Sequence, residues 1–222
     1  MRNLSNKQLW SLTQDEWENI SENILTNQTL IQNELTNADC RLGYSGKTLV
    51  ICFRGTILKW NSILTDLLVF KACMPFEGEK INPFIRVHFG FLNQYMSIRK
   101  ELLEYLNNNI KKYDEILIIG HSLGAALSTI CIYDLKKLQK FNVDIDAVIF
   151  GSPRVGNFDF TLDFGITVRD SITSYQVQND IVNKVPLLSW NYFHIINEIK
   201  LGKLRPLWPF SIKAHFTYGD YL

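Results

Sequence analysis

Glu115-Ile116-Leu117-Ile118-Ile119-Gly120-His121-Ser122-Leu123-Gly124-Ala125-Ala126-Leu127 is the stretch from which the fold of this chain can be read. Residues 115–120 form a short apolar run bounded by turn residues, as strands buried on both faces do. From Leu123 to Leu138 the apolar residues return at helical spacing. Between the two, Gly120-His121-Ser122-Leu123-Gly124 is a Gly-x-Ser-x-Gly turn from strand to helix, and that setting is what gives the five residues meaning. So tight a turn brings the backbone of both glycines against its neighbours, so the flanking side chains must be small. It also presents the serine where a histidine can reach its proton. The start of the following helix, with its free N–H groups and its dipole, favours negative charge nearby. The bare pentapeptide is common by chance; with a strand before it and a helix after it, Ser122 reads as a nucleophile.

On the N-terminal side, two strand-like runs, Ala38 to Gly43 and Lys47 to Arg54, flank Tyr44-Ser45-Gly46, which reads as a hairpin turn. Within the second run, residues 49–53 are apolar on both faces. Residues 6 to about 36 carry Leu9, Leu12, Trp17, Ile20, Ile24 and Leu25 at helical spacing. Residues 1–37 are therefore expected to be a helical segment packing on the core. The segment from Thr56 to Pro83 is irregular, punctuated at its end by Pro75, Gly78 and Pro83. Gly90 to Tyr113 is helical in pattern, and Asp146 to Phe150 and Ser174 to Gln178 are further strand candidates. This β-α-β alternation predicts an α/β fold with a central, mostly parallel sheet flanked by helices.

The whole-chain numbers agree with one such unit. At roughly 100–200 residues per domain, the 222 residues are expected to form a single domain spanning 1–222. A composition of 46% hydrophobic, 13% aromatic and 20% charged residues is that of a folded globular protein. Twenty-three basic and twenty-two acidic residues leave a net charge of +1, so no global field draws the chain to nucleic acid or an anionic membrane. Cys40, Cys52, Cys73 and Cys131 lack any C-x-x-C or Cys/His metal spacing, which argues against zinc and implies no disulfide framework. No run approaches ~18 consecutive apolar residues, so no transmembrane segment is expected. The first residues lack the apolar core of a signal peptide, which favours an intracellular location. No motif sets an oligomeric state.

Beyond the turn at Ser122, the sequence resembles the class 3, fungal-type lipases of the α/β-hydrolase superfamily. Phe53-Arg54-Gly55-Thr56 looks like that family's F-R-G-[ST] at a strand end, and Val87-His88-Phe89-Gly90-Phe91 is similar to its V-H-x-G-F. Gly151-Ser152-Pro153-Arg154-Val155-Gly156 resembles G-x-P-R-V-G, and Asn179-Asp180-Ile181-Val182, followed by Val185-Pro186, resembles N-D-I-V-x-x-x-P. The blocks run in family order over roughly residues 38–218. The resemblance implies an α/β-hydrolase fold and a Ser-Asp-His triad. Asp180 falls at the catalytic acid, where a carboxylate orients the histidine without taking its proton. The superfamily order of Ser, then Asp, then His leaves His194 and His215 as bases. His215, in an H-x-x-Y pattern with Tyr218, matches the catalytic position, while His194 looks like a histidine that precedes a structural strand. His88 and His121 are read as packing residues.

Thr56 matches the family's oxyanion-hole residue, and Leu123 would supply the second backbone N–H. Ile57, Trp60, Ile63 and Leu64 fall where the family carries a short amphipathic lid, with Asp66 as an acidic support; the same apolar residues would equally well close a core. The implied activity is lipase-like hydrolysis of lipid or other acyl esters through an acyl-enzyme, with no metal and no cofactor. Transient contact with a lipid surface would follow from such a lid. Two other readings stay open at the level of sequence: an inactive lipid-binding or scaffold hydrolase, and an acyltransferase using the same triad. Ala125 stands where many members have another glycine, a minor change on the helix-packing side; without the secreted members' signal peptide and cysteine pattern, the ester chemistry carries over better than their secretion or triacylglycerol preference.

Overall fold

The computed structural model describes residues 4–14, 24–55, 71–73, 82–137, 139, 141–195, 198–203 and 211–222. In chain order the strands are β1 Thr26–Asn33, β2 Ala38–Ser45, β3 Thr48–Phe53, β4 Lys71–Cys73, β5 Arg86–His88, β6 Glu115–His121, β7 Asp144–Phe150, β8 Ile172–Val177 and β9 Glu198–Leu201. Seven of them make one sheet in the order β1-β2-β3-β6-β7-β8-β9, and β4 pairs with β5 as a separate antiparallel ribbon. The first three strands are an antiparallel meander, and from β3 to β9 every pairing is parallel. Parallel neighbours need long crossovers. Helices α2 Phe89–Asn109, α3 Leu123–Lys137 and α4 Phe158–Val168 lie in the connections into β6, β7 and β8.

Alternation along the central strands divides the core between the two faces of the sheet. Leu49, Ile51 and Phe53 of β3, Ile116 and Ile118 of β6, and Ala147 and Ile149 of β7 join the cluster that holds α2, α3 and α4. Val50 and Cys52, Leu117 and Ile119, and Val148 and Phe150 point the other way, into a smaller cluster with Leu9, Trp10 and Leu12. Those last three come from α1, Asn6–Leu12, which Ser5 and Gln8 start with a reciprocal capping box. No helix among the described residues is long and apolar enough to cross a membrane.

The helical reading of residues 1–37 needs correction. Only α1 follows it within the described residues, and Thr26–Asn33 is an edge strand paired antiparallel with β2. Ile31 is the one buried residue of that strand, so it carries no alternating apolar signal. Its conformation comes from the β2 ladder, a tertiary contact that overrides local preference. Trp17 and Ile20 lie outside the described residues. The hairpin turn sits slightly later than expected, with Ser45 opposite Thr48 across Gly46-Lys47, and Gly46 takes a left-handed φ of 60°. Helix α4 shows no single apolar stripe because its apolar residues fall in two rows: Phe158, Leu162 and Ile166 are exposed while Phe160, Phe164 and Val168 are buried. β9 is a short strand with no buried position, so it too left no pattern.

Candidate active site

The elbow is a steric construction. A Cβ on Gly120 would stand 2.3 Å from the Gly124 carbonyl oxygen, and one on Gly124 would stand 2.1 Å from that of Phe53. Neither separation is physically possible, so both positions must be glycine for β6 to pass so abruptly into α3. At the tip, Ser122 has φ = 59°, a left-handed conformation that costs a non-glycine residue about 1–3 kcal/mol and persists only where its surroundings enforce it. The enforcing contacts are visible: Ser122 N–H donates to the Phe150 carbonyl at 3.1 Å, and its own carbonyl accepts from Ala125 and Ala126. Leu123, the first residue of α3, carries one of the N–H groups that have no acceptor within the helix.

Asp180 follows β8 and His215 lies in a short 3₁₀ turn, Lys213–Phe216. Both are fully buried. His215 Nδ1–H donates to Asp180 Oδ2 at 2.6 Å, and the Tyr218 hydroxyl donates to the same oxygen at 2.8 Å. The other carboxylate oxygen accepts from the Val182 N–H at 2.8 Å. These donors fix the carboxylate, and the carboxylate fixes the tautomer of His215, leaving Nε2 as the basic nitrogen. Burial first, and then the neighbouring carboxylate, push the Tyr218 hydroxyl well above the usual phenol range, so it stays a protonated donor. Tyr218 also accepts from the Val177 N–H at 3.1 Å, which ties the end of β8 to the same corner.

This corner stands over the carboxyl ends of β6 and β7. The rings of His215 and His121 are 4.3 Å apart, and His121 is the residue before Ser122. Gly151, just after β7, has φ = 59°, and a Cβ there would lie 2.8 Å from His215 Cε1 and 3.1 Å from the Tyr218 hydroxyl. His194 is elsewhere: its Nδ1 pairs with Glu198 at 2.8 Å and its Nε2–H donates to the Asn183 carbonyl. It therefore joins the turn after Asp180 to β9, a structural task. His88 is buried against Phe91 and Tyr192.

The other sequence blocks serve as scaffolding. Arg154 donates through Nη1 to the Pro186 carbonyl at 2.7 Å and through its backbone N–H to Val185 at 2.9 Å, holding the segment that follows Asp180. Asn157 Oδ1 accepts from the Phe160 N–H at the start of α4 and from Arg86 N–H of β5, each at 3.0 Å. Of the oxyanion residues, Thr56 lies outside the described residues, as do Ile57, Trp60, Ile63, Leu64 and Asp66. Gly55 is described, and a Cβ there would be 3.1 Å from the His121 carbonyl and 3.8 Å from Ser122 Cβ, so the chain leading to Thr56 passes directly over the elbow. Sequence reasoning missed the part played by Gly151 and the depth of Tyr218's involvement. The H-x-x-Y spacing was a signal for Tyr218, and the G-x-P-R-V-G block contains Gly151 without saying what it faces.

A mostly parallel sheet with a nucleophile elbow after a central strand and a His–Asp pair beyond later strands defines the α/β-hydrolase fold. Residues 50–190 match the family model of lipase (class 3), and the chain belongs to that family. A lipase of Rhizomucor miehei is 31% identical over 180 residues, 77% of this chain and 46% of its own length. Phospholipase A(1) DAD1 of Arabidopsis thaliana is 31% identical over 156 residues, covering 63% of this chain and 34% of that protein. The chain thus spans less than half the length of these curated relatives. The solved lipase from Rhizopus microsporus var. chinensis shares the fold with a TM-score of 0.74 at 24% identity, over 92% of this chain and 80% of that one.

Proposed function

We propose that this protein hydrolyses carboxylic esters, lipid esters among them, through an acyl-enzyme on Ser122. His215 Nε2 takes the hydroxyl proton as Ser122 Oγ bonds to the ester carbonyl carbon, and the carbonyl oxygen becomes an oxyanion. The backbone N–H groups of Leu123 and Thr56, with the Thr56 hydroxyl, receive that charge. Collapse breaks the carbon–oxygen bond to the leaving alcohol, which departs with the proton from His215. Water repeats the sequence and releases the carboxylic acid. Asp180 holds His215 in the tautomer this needs and stabilises the imidazolium.

The observation that carries this reading is the buried Asp180–His215 hydrogen bond of 2.6 Å, set against the residue that precedes an enforced left-handed serine. A binding or scaffold protein has no use for that combination. The family relatives named lipase and phospholipase A(1) support a lipid ester as the acyl donor. Residues Ile57, Trp60, Ile63 and Leu64 serve in this reading as a lid that opens onto lipid. A fluorophosphonate probe should label the wild type and spare Ser122→Ala, which should also lose turnover of p-nitrophenyl butyrate. Equal labelling of the two proteins would overturn the assignment. Activity against an ester chain-length series, measured below and above the micelle threshold, tests the lid: a rise confined to micelles supports it.

A further inference from the structure

We infer that the N-terminal helix is a positioning element for the reaction: Trp10 seats His121, and His121 holds the main chain of His215 in register with Ser122. This rests on the hydrolase reading above and assigns work to two parts of the chain that it leaves idle, helix α1 and His121.

His121 Nε2 lies 2.9 Å from the His215 carbonyl oxygen. A carbonyl can only accept, so Nε2 carries the proton and Nδ1 does not. Burial, and then the adjacent His215, hold the His121 imidazole well below its ordinary pKa, so it remains neutral. A neutral ring tilted against His215 at 4.3 Å adds no positive charge beside the imidazolium that forms during acyl transfer. The grip on the carbonyl matters because the 3₁₀ turn carrying His215 is only four residues long, and such pieces have weak internal hydrogen bonds. Asp180 anchors the ring at Nδ1; His121 supplies a second anchor, at the backbone.

Trp10 completes the brace. Its ring meets His121 edge-on at 4.8 Å and Phe150 edge-on at 5.4 Å, and lies 5.4 Å from Tyr218. A Cβ on Gly219 would come within 2.8 Å of its Nε1. One indole therefore touches the ends of β6 and β7 and the C-terminal turn that carries Tyr218 and Gly219. Helix α1, remote in sequence from all of them, presses the catalytic histidine's segment onto the elbow.

The test compares His121→Leu, which removes the donor, with His121→Gln, which keeps a neutral one, in the full chain. A misplacement near 1 Å can cost about 10²-fold in rate, so His121→Leu is expected to lower kcat by ~10–100-fold with KM little changed. Gln should restore most of that loss. Trp10→Leu should lower kcat in the same way, and Trp10→Leu combined with His121→Leu should lose less than the product of the single effects, because the two act through one contact. As a readout independent of turnover, the low-field proton resonance of His215 Nδ1–H should broaden in the Leu variants and stay sharp in Gln. Wild-type kcat in His121→Leu, or a Gln variant no better than Leu, would overturn the brace. A wild type that neither turns over esters nor takes the fluorophosphonate would overturn the hydrolase reading instead.

Discussion

The elbow at residues 120–124 and the corner of Asp180, His215 and Tyr218 stand side by side, but they are held by different forces. The elbow is local: two absent side chains and a strained serine, clamped by backbone carbonyls from β3 and β7. The corner is assembled from residues 35 and 38 positions apart, through side chains that share one carboxylate. A local device tolerates almost no change at its own positions and is indifferent to distant ones. A dispersed device loses function in graded steps as its members are removed.

Substitutions can break or sharpen that contrast. The largest effect is expected for Gly124→Ala, whose Cβ would stand 2.1 Å from the Phe53 carbonyl oxygen. Because that atom is backbone, β3 or α3 must shift, and the variant should lose several kcal/mol in chemical denaturation along with its activity, as backbone strain at special sites does. If Gly124→Ala folds and turns over ester normally, the elbow is not under steric control. Asp180→Asn keeps the shape of the corner and changes its chemistry, since a neutral amide neither fixes the tautomer nor stabilises the imidazolium. Steady-state kinetics should show a fall in kcat of about 10³–10⁴-fold with the fold retained.

Tyr218→Phe should be milder. It removes a donor to Asp180 and the acceptor of the buried Val177 N–H, so stability should drop by about 1–3 kcal/mol. Activity is expected to fall by roughly 10–100-fold, as for loss of one hydrogen bond to a charged group at ~1.5–3 kcal/mol. A drop as deep as that of Asp180→Asn would mean the corner acts as a single unit.

The smallest effect is a pH dependence. His121 has a folded pKa below its ordinary value of 6.5 because burial and His215 penalise its charged form. The unfolded chain therefore binds more protons than the folded one once the pH drops below 6.5. Stability from the neutral ring is fully present above that pH and is lost as the pH falls toward the depressed folded pKa. Urea midpoints measured between neutral pH and mildly acidic pH should decline less steeply in His121→Gln than in the wild type. Identical slopes would mean the imidazole titrates alike in both states.

The record of the sequence follows the same division. Strands β3, β6 and β7 were legible because burial on both faces leaves an uninterrupted apolar run, α2 because its buried residues recur at helical spacing, and α3, buried all round from Gly124 to Leu135, because it is too long for a strand and follows the glycine turn. Strand β1 was misread as helix because an exposed edge strand answers to its partner's ladder and not to its own side chains. Helix α4 left no single stripe because a second, exposed apolar row, Phe158, Leu162 and Ile166, accompanies the buried one. Ser122 could be named from five adjacent residues, whereas family order left both His194 and His215 and only a short family pattern separated them.

What the sequence determined by itself was everything written in neighbouring residues: the buried strands, the turn that only glycine permits, and the serine at its tip. Tertiary structure alone decided that Tyr218 and His215 share an oxygen of Asp180, that Gly151 makes room for the His215 ring, and that Trp10 packs edge-on against the neighbouring His121. The reason is physical. Sterics and periodicity act over a few bonds and leave a mark in the order of residues, while contacts between distant segments exist only once the sheet has brought their ends together.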